Sequence, residues 1–332
     1  MKSFNDKVVW ITGASSGIGE AVAKALSLSG AKLILSARRI SELERVQNSC
    51  KNPSNVKLLP FDLKATAEFE SMVKTALSSW GRIDIMILNG GIAQRSIAKY
   101  TTLEVDREIM EVDYFSCVAL TKLLLPHFIE RDHGQIVVVS SVMGIIGTPF
   151  RSGYAAAKHA LHGYFDSLRA ELWKKSKGVG VTLIAPGWVR TNITYNALSG
   201  DGSKLNSMDN ATAKGIDPDV FAIKMLNAIA KRKNLAVIGG AKEVFAVLVQ
   251  RFFPDLFVSW CAKWLSDDKR SLDLAFVYRN RLDHWFFEYR SRWRYTHQYA
   301  GVDFYGDAGL SCKCNNQSSH FSTEYFCSHR IS

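Results

Sequence analysis

Long runs of like charge are absent from the sequence, although the chain carries a net charge of +11. Its 42 lysines and arginines are scattered among 31 acidic residues. A basic arm that binds nucleic acid would need a block of about five or six like charges. We therefore expect no nucleic-acid partner, in spite of the basic balance.

Long apolar runs are missing as well. No stretch reaches the roughly 18 uninterrupted apolar residues of a membrane-spanning helix. Asp6 and Lys7 directly precede the first apolar segment and leave no room for the apolar core of a secretory signal. We therefore expect neither a signal peptide nor a transmembrane helix, and a chain that is soluble or peripherally attached to a membrane.

Cysteines are few, and across the main body of the chain they do not form the paired, regularly spaced set that is typical of a disulfide-bonded protein. They are Cys50, Cys117, Cys261, Cys312, Cys314 and Cys327. Such a pattern is typical of a reducing compartment. We therefore expect no disulfide in the main body and a location on the cytoplasmic side.

The remaining composition is that of a globular protein, with 47% hydrophobic and 22% charged residues over 332 positions. Residues 8–11 predict a short strand buried on both faces, and a helix is predicted at about 18–29. A glycine-rich turn lies between them. Its candidate cofactor-binding residues are Gly13, Ser15, Ser16, Gly17, Ile18 and Gly19.

Glycines in such a turn let the backbone approach a pyrophosphate closely, while the amides at the helix N-terminus face the anion. The turn therefore indicates a dinucleotide cofactor. The alternative is a tight strand-to-helix turn with a purely structural role.

The second predicted strand, at 32–36, ends before Ala37 and Arg38. A fold that prefers NAD usually has an acidic residue here, which accepts a hydrogen bond from the adenosine ribose. Arg38 instead offers a forked cation suited to a 2′-phosphate, and Ala37 leaves room for it. We therefore expect NADP(H) rather than NAD(H), the alternative being that Arg38 and Arg39 are a solvated pair.

A phenol and an ammonium lie four residues apart in the segment Ser-Gly-Tyr-Ala-Ala-Ala-Lys at 152–158. On a helix, Tyr154 and Lys158 share one face. The cation is expected to lower the pKa of the phenol by roughly 1–3 units, so that Tyr154 becomes a usable acid or base. Ser141 follows the apolar run 136–139, a predicted buried strand, and its hydroxyl can hold a substrate oxygen.

A Tyr-x-x-x-Lys spacing alone is common on helices, but together with the glycine-rich turn it resembles the short-chain dehydrogenase/reductase family. The resemblance covers roughly residues 4–265. It implies an α/β fold in which residues 1–265 form one domain, with a Rossmann-type, doubly wound parallel sheet of about seven strands. The segment 90–96 resembles a subgroup called dehydrogenase/reductase SDR family member 7.

The resemblance also implies further cofactor contacts. Asp62 and Leu63, after a third strand predicted at 56–61, would contact adenine, although Asp62 could equally cap a helix. Leu88 and Gly90 depart from the family's signature after the fourth strand, whereas Asn89 and Gly91 match it. The Pro-Gly turn after a strand at 179–185 would hold the nicotinamide carboxamide. The other expected cofactor residues are Asn89, Gly91, Tyr154, Lys158, Pro186, Gly187, Val189 and Thr191.

Asp113 is the main departure from the family. It lies in a long helix that a capping box, Thr101-x-x-Glu104, predicts to run to about residue 130. The family has an asparagine here, which joins a water and the active-site lysine in a proton relay. A carboxylate accepts but cannot donate, and it would pair with Lys158 and favour its charged form. Either turnover is altered or lost, or Asp113 is a tolerated substitute of the same size.

Polar, glycine-rich residues at about 192–216 predict a mobile lid over the substrate site. A helix at about 217–231 and a seventh strand at 235–238 would follow. The segment 242–265 is rich in Phe, Val, Leu and Trp but interrupted by charges, so we do not expect it to cross a bilayer. It either lines a lipophilic pocket and rests on a membrane surface, or covers the sheet or a neighbouring subunit of a homo-oligomer.

The family resemblance does not extend into residues 266–332, for which a disordered or accessory tail is predicted. This tail contains five residues of types that ligate zinc: Cys312, Cys314, His320, Cys327 and His329. Because a one-residue cysteine spacing is unusual for a structural zinc site, we expect no metal.

These features predict an NADP(H)-dependent oxidoreductase that transfers a hydride between the nicotinamide and a carbonyl or alcohol of a lipophilic small molecule, such as a steroid, retinoid or quinone. Ser141 would position the oxygen, Tyr154 would exchange the proton, and Lys158 would lower the pKa of the phenol and bind the nicotinamide ribose. The alternative is a weak or inactive NADP(H)-binding protein that acts as a sensor or scaffold. Asp113 is its specific support.

Overall fold

A seven-stranded parallel sheet forms the centre of the computed structural model, which describes residues 2–267. Its strand order is β3-β2-β1-β4-β5-β6-β7. Strands β2 and β3 are added on one side of β1 and strands β4 to β7 on the other, so the strand order reverses between β1 and β4. The predicted doubly wound α/β fold is therefore confirmed. The strands are β1 (Val8–Thr12), β2 (Lys32–Ser36), β3 (Val56–Leu58), β4 (Ile85–Leu88), β5 (Gly134–Val139), β6 (Val179–Pro186) and β7 (Leu235–Ile238).

Helices cover both faces of the sheet. On one face α1, α2 and α8 pack against alternate strand residues such as Val9 and Ile11, and on the other α3, α5 and α6 pack against Val8 and Trp10. Burial on both faces explains why the strands are continuous apolar runs. The helices are α1 (Gly17–Leu28), α2 (Ile40–Ser49), α3 (Phe69–Trp80), α4 (Leu103–Met110), α5 (Ser116–Glu130), α6 (Ser152–Lys175), α7 (Asn210–Ala213), α8 (Pro218–Ala230), α9 (Ala241–Phe252) and α10 (Pro254–Asp267).

The third strand is shorter than predicted and ends at Leu58 instead of residue 61. The physical reason is Pro60, which has no N–H to donate to the neighbouring strand. The chain nevertheless stays alongside β2, because Leu59 and Phe61 donate to the carbonyls of Leu35 and Ala37.

The capping box predicted at Thr101 is wrong by one residue. Thr102 is the N-cap of α4 and accepts from the Val105 amide at 3.5 Å, whereas the Thr101 hydroxyl donates to the Ile97 carbonyl. A single π-helical turn, Glu111–Phe115, joins α4 to α5 without interrupting the helix.

The helix formed by α4, the π turn and α5 is the one candidate for a membrane span within residues 2–267. Over Leu103–Glu130 it has the length and the apolar composition of a spanning helix. Its apolar side, with Leu120, Leu124 and Phe128, is buried in the core of this domain. A core helix passes the same length and hydropathy test, so the candidate is weak.

The apolar segment predicted at 242–265 forms the helices α9 and α10, which are separated at Phe253 where Pro254 begins the second helix. Ala246, Val249 and Phe257 point into the domain. Large apolar side chains remain exposed on the other side: Val244, Phe245, Leu248, Phe252, Phe253, Leu256, Val258 and Trp260. Contact with a membrane surface and contact with a neighbouring subunit both remain predictions for this face.

The predicted tail, 266–332, lies outside the described residues apart from the last two positions of α10, and so do its five cysteines and histidines that could ligate zinc. Within the described part of the chain, no group of three or more metal-ligating side chains occurs.

Candidate active site

The glycine-rich turn follows β1 and is held by the residues that follow β4. The Asn89 side chain donates to the carbonyls of Thr12 and Gly13 at 3.1 and 3.2 Å, and the Thr12 hydroxyl accepts from the amides of Asn89 and Gly90. Gly13 has φ 65°, and a Cβ there would lie 2.6 Å from the Gly90 Cα. The two loops therefore meet where the strand order reverses, which is where ligands bind in such sheets.

The first turn of α1 has donors available for an anion. Ser16 is the N-cap, with extended backbone, and its side chain makes no capping hydrogen bond among the residues described. Gly17 has φ 58°, and a Cβ there would lie 3.0 Å from the Thr191 methyl group, so the turn directly contacts the loop after β6. The uncapped amides and the close approach of the backbone fit a pyrophosphate.

The end of β2 carries Arg38, which is exposed, and the half-buried Ala37. Asp62 accepts from the Lys64 amide at 3.1 Å and so closes a turn, whereas the N-cap of α3 is Glu68. Leu63 packs at the turn, where a Cβ on Gly90 would meet its methyl group at 2.5 Å. Arg38, Asp62 and Leu63 thus lie at the carboxyl ends of neighbouring strands.

Arg45, on α2, supports the glycine-rich turn and was not found from the sequence. Its guanidinium donates to the Ser15 carbonyl at 3.1 Å and forms a two-point pair with Glu20 at 2.9 and 2.8 Å. Arg45, with a smaller contribution from Lys24, lowers the pKa of Glu20 to about 2, although burial opposes this effect. This contact joins positions 30 residues apart, and nothing in the local sequence indicates it.

A cavity of about 600 Å³ lies beside this turn. Its lining is mostly polar and includes Ser16, Gly17, Arg45, Arg190 and Thr191, but not Tyr154 or Lys158. It therefore adjoins the candidate phosphate-binding turn instead of the phenol.

Four of the predicted site residues lie close together near the carboxyl ends of β4 and β5: Ser141, Tyr154, Lys158 and Asp113. Lys158 Nζ lies 5.6 Å from the centroid of the Tyr154 ring and donates to the Val139 carbonyl at 3.3 Å. The Ser141 hydroxyl accepts from the Met143 amide at 3.1 Å, which fixes it at the start of a short 3₁₀ turn.

Asp113 lies in the π turn and is fully buried. One carboxylate oxygen is 3.0 Å from Lys158 Nζ, and the other accepts from the Ile92 amide at 2.7 Å. Gly91 permits this approach, because a Cβ there would lie 3.1 Å from the carboxylate. The pairing with Lys158 expected from the sequence is therefore present.

Burial and charge act in opposite directions on this cluster. Burial is the largest influence and lowers the pKa of Lys158, but Asp113, Tyr154 and Cys117 together outweigh it and hold the pKa above its usual value. Burial holds the pKa of Asp113 above its usual value, although Lys158 and the Ile92 amide lower it. One carboxylate oxygen forms a close ion pair with Lys158 without a hydrogen bond of regular geometry, and the other accepts from the Ile92 amide, so the pairing favours the charged forms of both groups.

Burial raises the pKa of Tyr154, and Asp113 adds to this effect, while Lys158, Ser141 and Arg151 oppose it. The net lowering expected from the Tyr154–Lys158 spacing is therefore wrong in this structure. The cation does lower the pKa of the phenol, but desolvation is the larger effect.

The loop after β6 joins the two halves of the site. Pro186 ends the strand, and the Gly187 amide donates to the Ile238 carbonyl at 2.8 Å. Trp188 packs in the same apolar cluster as Tyr154, and Thr191 contacts the glycine-rich turn at Gly17. Val189 is buried in the core formed with α1 and α8.

Comparison with known proteins agrees with this arrangement. The family model for short chain dehydrogenases matches residues 7–201. The chain is 49% identical to human dehydrogenase/reductase SDR family member 7 over 60% of each chain, so the match spans less than two thirds of that protein. It is 40% identical to member 7B of Danio rerio over 77% of this chain and 84% of the relative.

Solved structures share the fold. A short-chain dehydrogenase/reductase from Burkholderia phymatum, determined in complex with NAD, superposes with a TM-score of 0.68 at 21% identity, covering 77% of this chain and 96% of the other. The match to the family model and the identity to these relatives show that the chain belongs to the short-chain dehydrogenase/reductase family of oxidoreductases, in the subgroup of members 7 and 7B.

Proposed function

We propose that this protein is an NADP(H)-dependent oxidoreductase that transfers a hydride between the nicotinamide and a carbonyl or alcohol of a lipophilic substrate. The observation that carries the proposal is the buried cluster of Ser141, Tyr154 and Lys158, which is connected to the glycine-rich turn through Asp113 and the loop after β4. A pure nucleotide-binding module has no need for a phenol paired with a buried cation.

Each residue of the cluster has a role in this proposal. The Ser141 hydroxyl holds the substrate oxygen, and Tyr154 gives its proton to that oxygen during reduction. Because its pKa is raised by burial, Tyr154 is protonated at neutral pH, as an acid for carbonyl reduction must be. The Lys158 ammonium supports the phenolate that forms. When bound, the nicotinamide supplies or accepts the hydride.

The cofactor would lie along the carboxyl ends of β1, β2, β4 and β6. The amides of the glycine-rich turn would bind the pyrophosphate, and Arg38 would bind the 2′-phosphate. The remaining proposed contacts are Asp62 and Leu63 for adenine, Asn89 and Gly91 along the dinucleotide, Lys158 for the ribose, and Pro186, Gly187, Val189 and Thr191 for the nicotinamide.

Replacing Arg38 by Ala should weaken NADPH binding by roughly tenfold or more while changing NADH binding little. The reason is that a charge-assisted contact with the 2′-phosphate contributes on the order of 1.5–3 kcal/mol. The measurement is the Kd of each cofactor, by titration of intrinsic fluorescence. The control is Arg39→Ala, because Arg39 is also exposed and lines the cavity beside the glycine-rich turn. An equal loss for both cofactors, or a selective loss in the Arg39 variant, would contradict the assignment.

An apolar substrate is supported by the surroundings of the phenol. Tyr154 shares a cluster with Met143, Trp188, Val249 and Phe257, so α9 and α10 contribute to the apolar surroundings of the phenol. Burying a lipophilic skeleton there would be favourable, and the single phenol and hydroxyl would orient its oxygen. Steroids, retinoids and quinones have this chemistry.

The deciding experiment is a panel of lipophilic ketones, aldehydes and quinones assayed by NADPH oxidation. Reduction of at least one of these carbonyls at a rate that depends on protein concentration would support the proposal. Binding of NADPH without oxidation on any carbonyl would favour the second candidate, an NADP(H)-binding sensor or scaffold. That candidate is favoured by the Asp113–Lys158 ion pair, which engages the active-site cation.

We also propose a cytoplasmic-side location. Cys50, Cys117 and Cys261, the cysteines of the described residues, are free thiols, which suits a reducing compartment.

A further inference from the structure

Asp209 connects the lid segment, residues 192–216, to two arginines that lie outside it. One carboxylate oxygen accepts from Arg95 at 2.7 Å and from Arg151 at 2.9 Å, and the other accepts from the Thr212 amide at 2.6 Å. The Asp209 side chain is 11% exposed and that of Arg151 is 8% exposed. Two guanidinium partners at this degree of burial hold a carboxylate firmly.

Arg151 also contacts the two elements on either side of Tyr154, namely the loop after β6 and the first turn of α6. Its guanidinium lies 4.7 Å from the centroid of the Trp188 ring, and its carbonyl accepts from the Ala155 amide at 2.7 Å in the first turn of α6. The preceding residue, Phe150, has φ 66°, a left-handed conformation that a bulky residue adopts only at a cost. Arg151 is thus fixed through its backbone as well as its side chain.

We propose that Asp209 latches the lid segment to Arg151, and that Arg151 is a positioning residue which sets how the lid closes beside Tyr154. The near part of the segment is paired through its backbone, since the Leu198 amide and carbonyl bond to Ala93 and Arg95 at 2.8 Å. The far part, which contains α7, is joined to Arg95 and Arg151 by Asp209. The consequence for the substrate rests on the proposed function, whereas the latch itself does not.

The test is limited proteolysis of the full-length, cofactor-free chain. Asp209→Asn preserves the size of the side chain and its cap on α7 but removes the charge, so the lid should open more often. Trypsin cleavage after the exposed Lys204 or Lys214 should become at least about tenfold faster. The matched control is Asp201→Asn, in the same segment, whose exposed carboxylate accepts from Ser203. It should leave the cleavage rate unchanged.

Two further variants separate positioning from a general loss of structure. Asp209→Glu should restore slow cleavage, and Arg95→Gln, which removes the more exposed partner, should give an intermediate rate even if Asp209→Asn fails to fold. With an active carbonyl, Asp209→Asn should raise KM several-fold and change kcat less.

Unchanged cleavage in the Asp209→Asn and Arg95→Gln variants, or an equal increase in Asp201→Asn, would overturn the latch. A chain that reduces no carbonyl would count against the proposed function alone, because the proteolysis does not require turnover.

Discussion

Replacing Tyr154 by Phe should reduce carbonyl turnover by at least ~10²-fold while leaving NADPH affinity nearly unchanged. The substitution keeps the ring that packs against Trp188 and Lys158 but removes the transferable proton. The phenol is buried, so bulk water is poorly placed to replace it as the acid. The measurements are kcat with the best carbonyl of the panel and the Kd of NADPH.

Tyr164→Phe is the matched control, because Tyr164 lies on the same helix, is partly buried and packs against Tyr114 and Phe165. This variant should keep its turnover, which would show that loss of a hydroxyl from α6 does not by itself disturb the enzyme. A fully active Tyr154→Phe enzyme would eliminate the proposed chemistry. A parallel loss of NADPH binding would indicate instead that the phenol mainly supports the cofactor site.

The doubly wound sheet was expected from the family resemblance, whereas most of its strands could be predicted as short apolar runs between turn signals. The strands β2 and β7 begin and end where the sequence places them. Burial on both faces leaves little ambiguity in such runs. The errors arose where one residue changes the hydrogen bonding. Pro60 shortens β3, and Thr102, not Thr101, accepts from the first turn of α4.

The parts of the site that are local in sequence were also predictable. The glycine-rich turn and the Tyr154–Lys158 pair each depend on fixed spacing within one element. The contacts of Arg45 with Ser15 and of Asp209 with Arg151 join distant segments, and no spacing rule indicates them. The sign of the phenol's pKa shift also required the structure, because desolvation depends on how completely the fold covers Tyr154.

Asp113 should tune the reaction through Lys158 and the phenol. Its carboxylate adds to the burial that raises the pKa of Tyr154, because a second negative charge nearby disfavours the phenolate. Alcohol oxidation needs the phenolate as a base, so it should begin only at high pH in the natural chain. Asp113→Asn removes this charge and keeps the size and an oxygen that can accept from the Ile92 amide.

In the Asn variant the rise of alcohol oxidation with pH should therefore occur at lower pH, by roughly 1–2 units. At a fixed pH below this rise, the rate should increase about tenfold for each pH unit of the shift. The measurement is kcat/KM against pH with an alcohol and NADP. Glu111→Gln is the matched control, since it removes one carboxylate from the same π turn without touching the Lys158 pair. An unchanged profile would make Asp113 a passive substitute. A limb that moves upward would instead mean that Lys158 loses its own charge without Asp113, and that the carboxylate is needed to keep the cation beside the phenol.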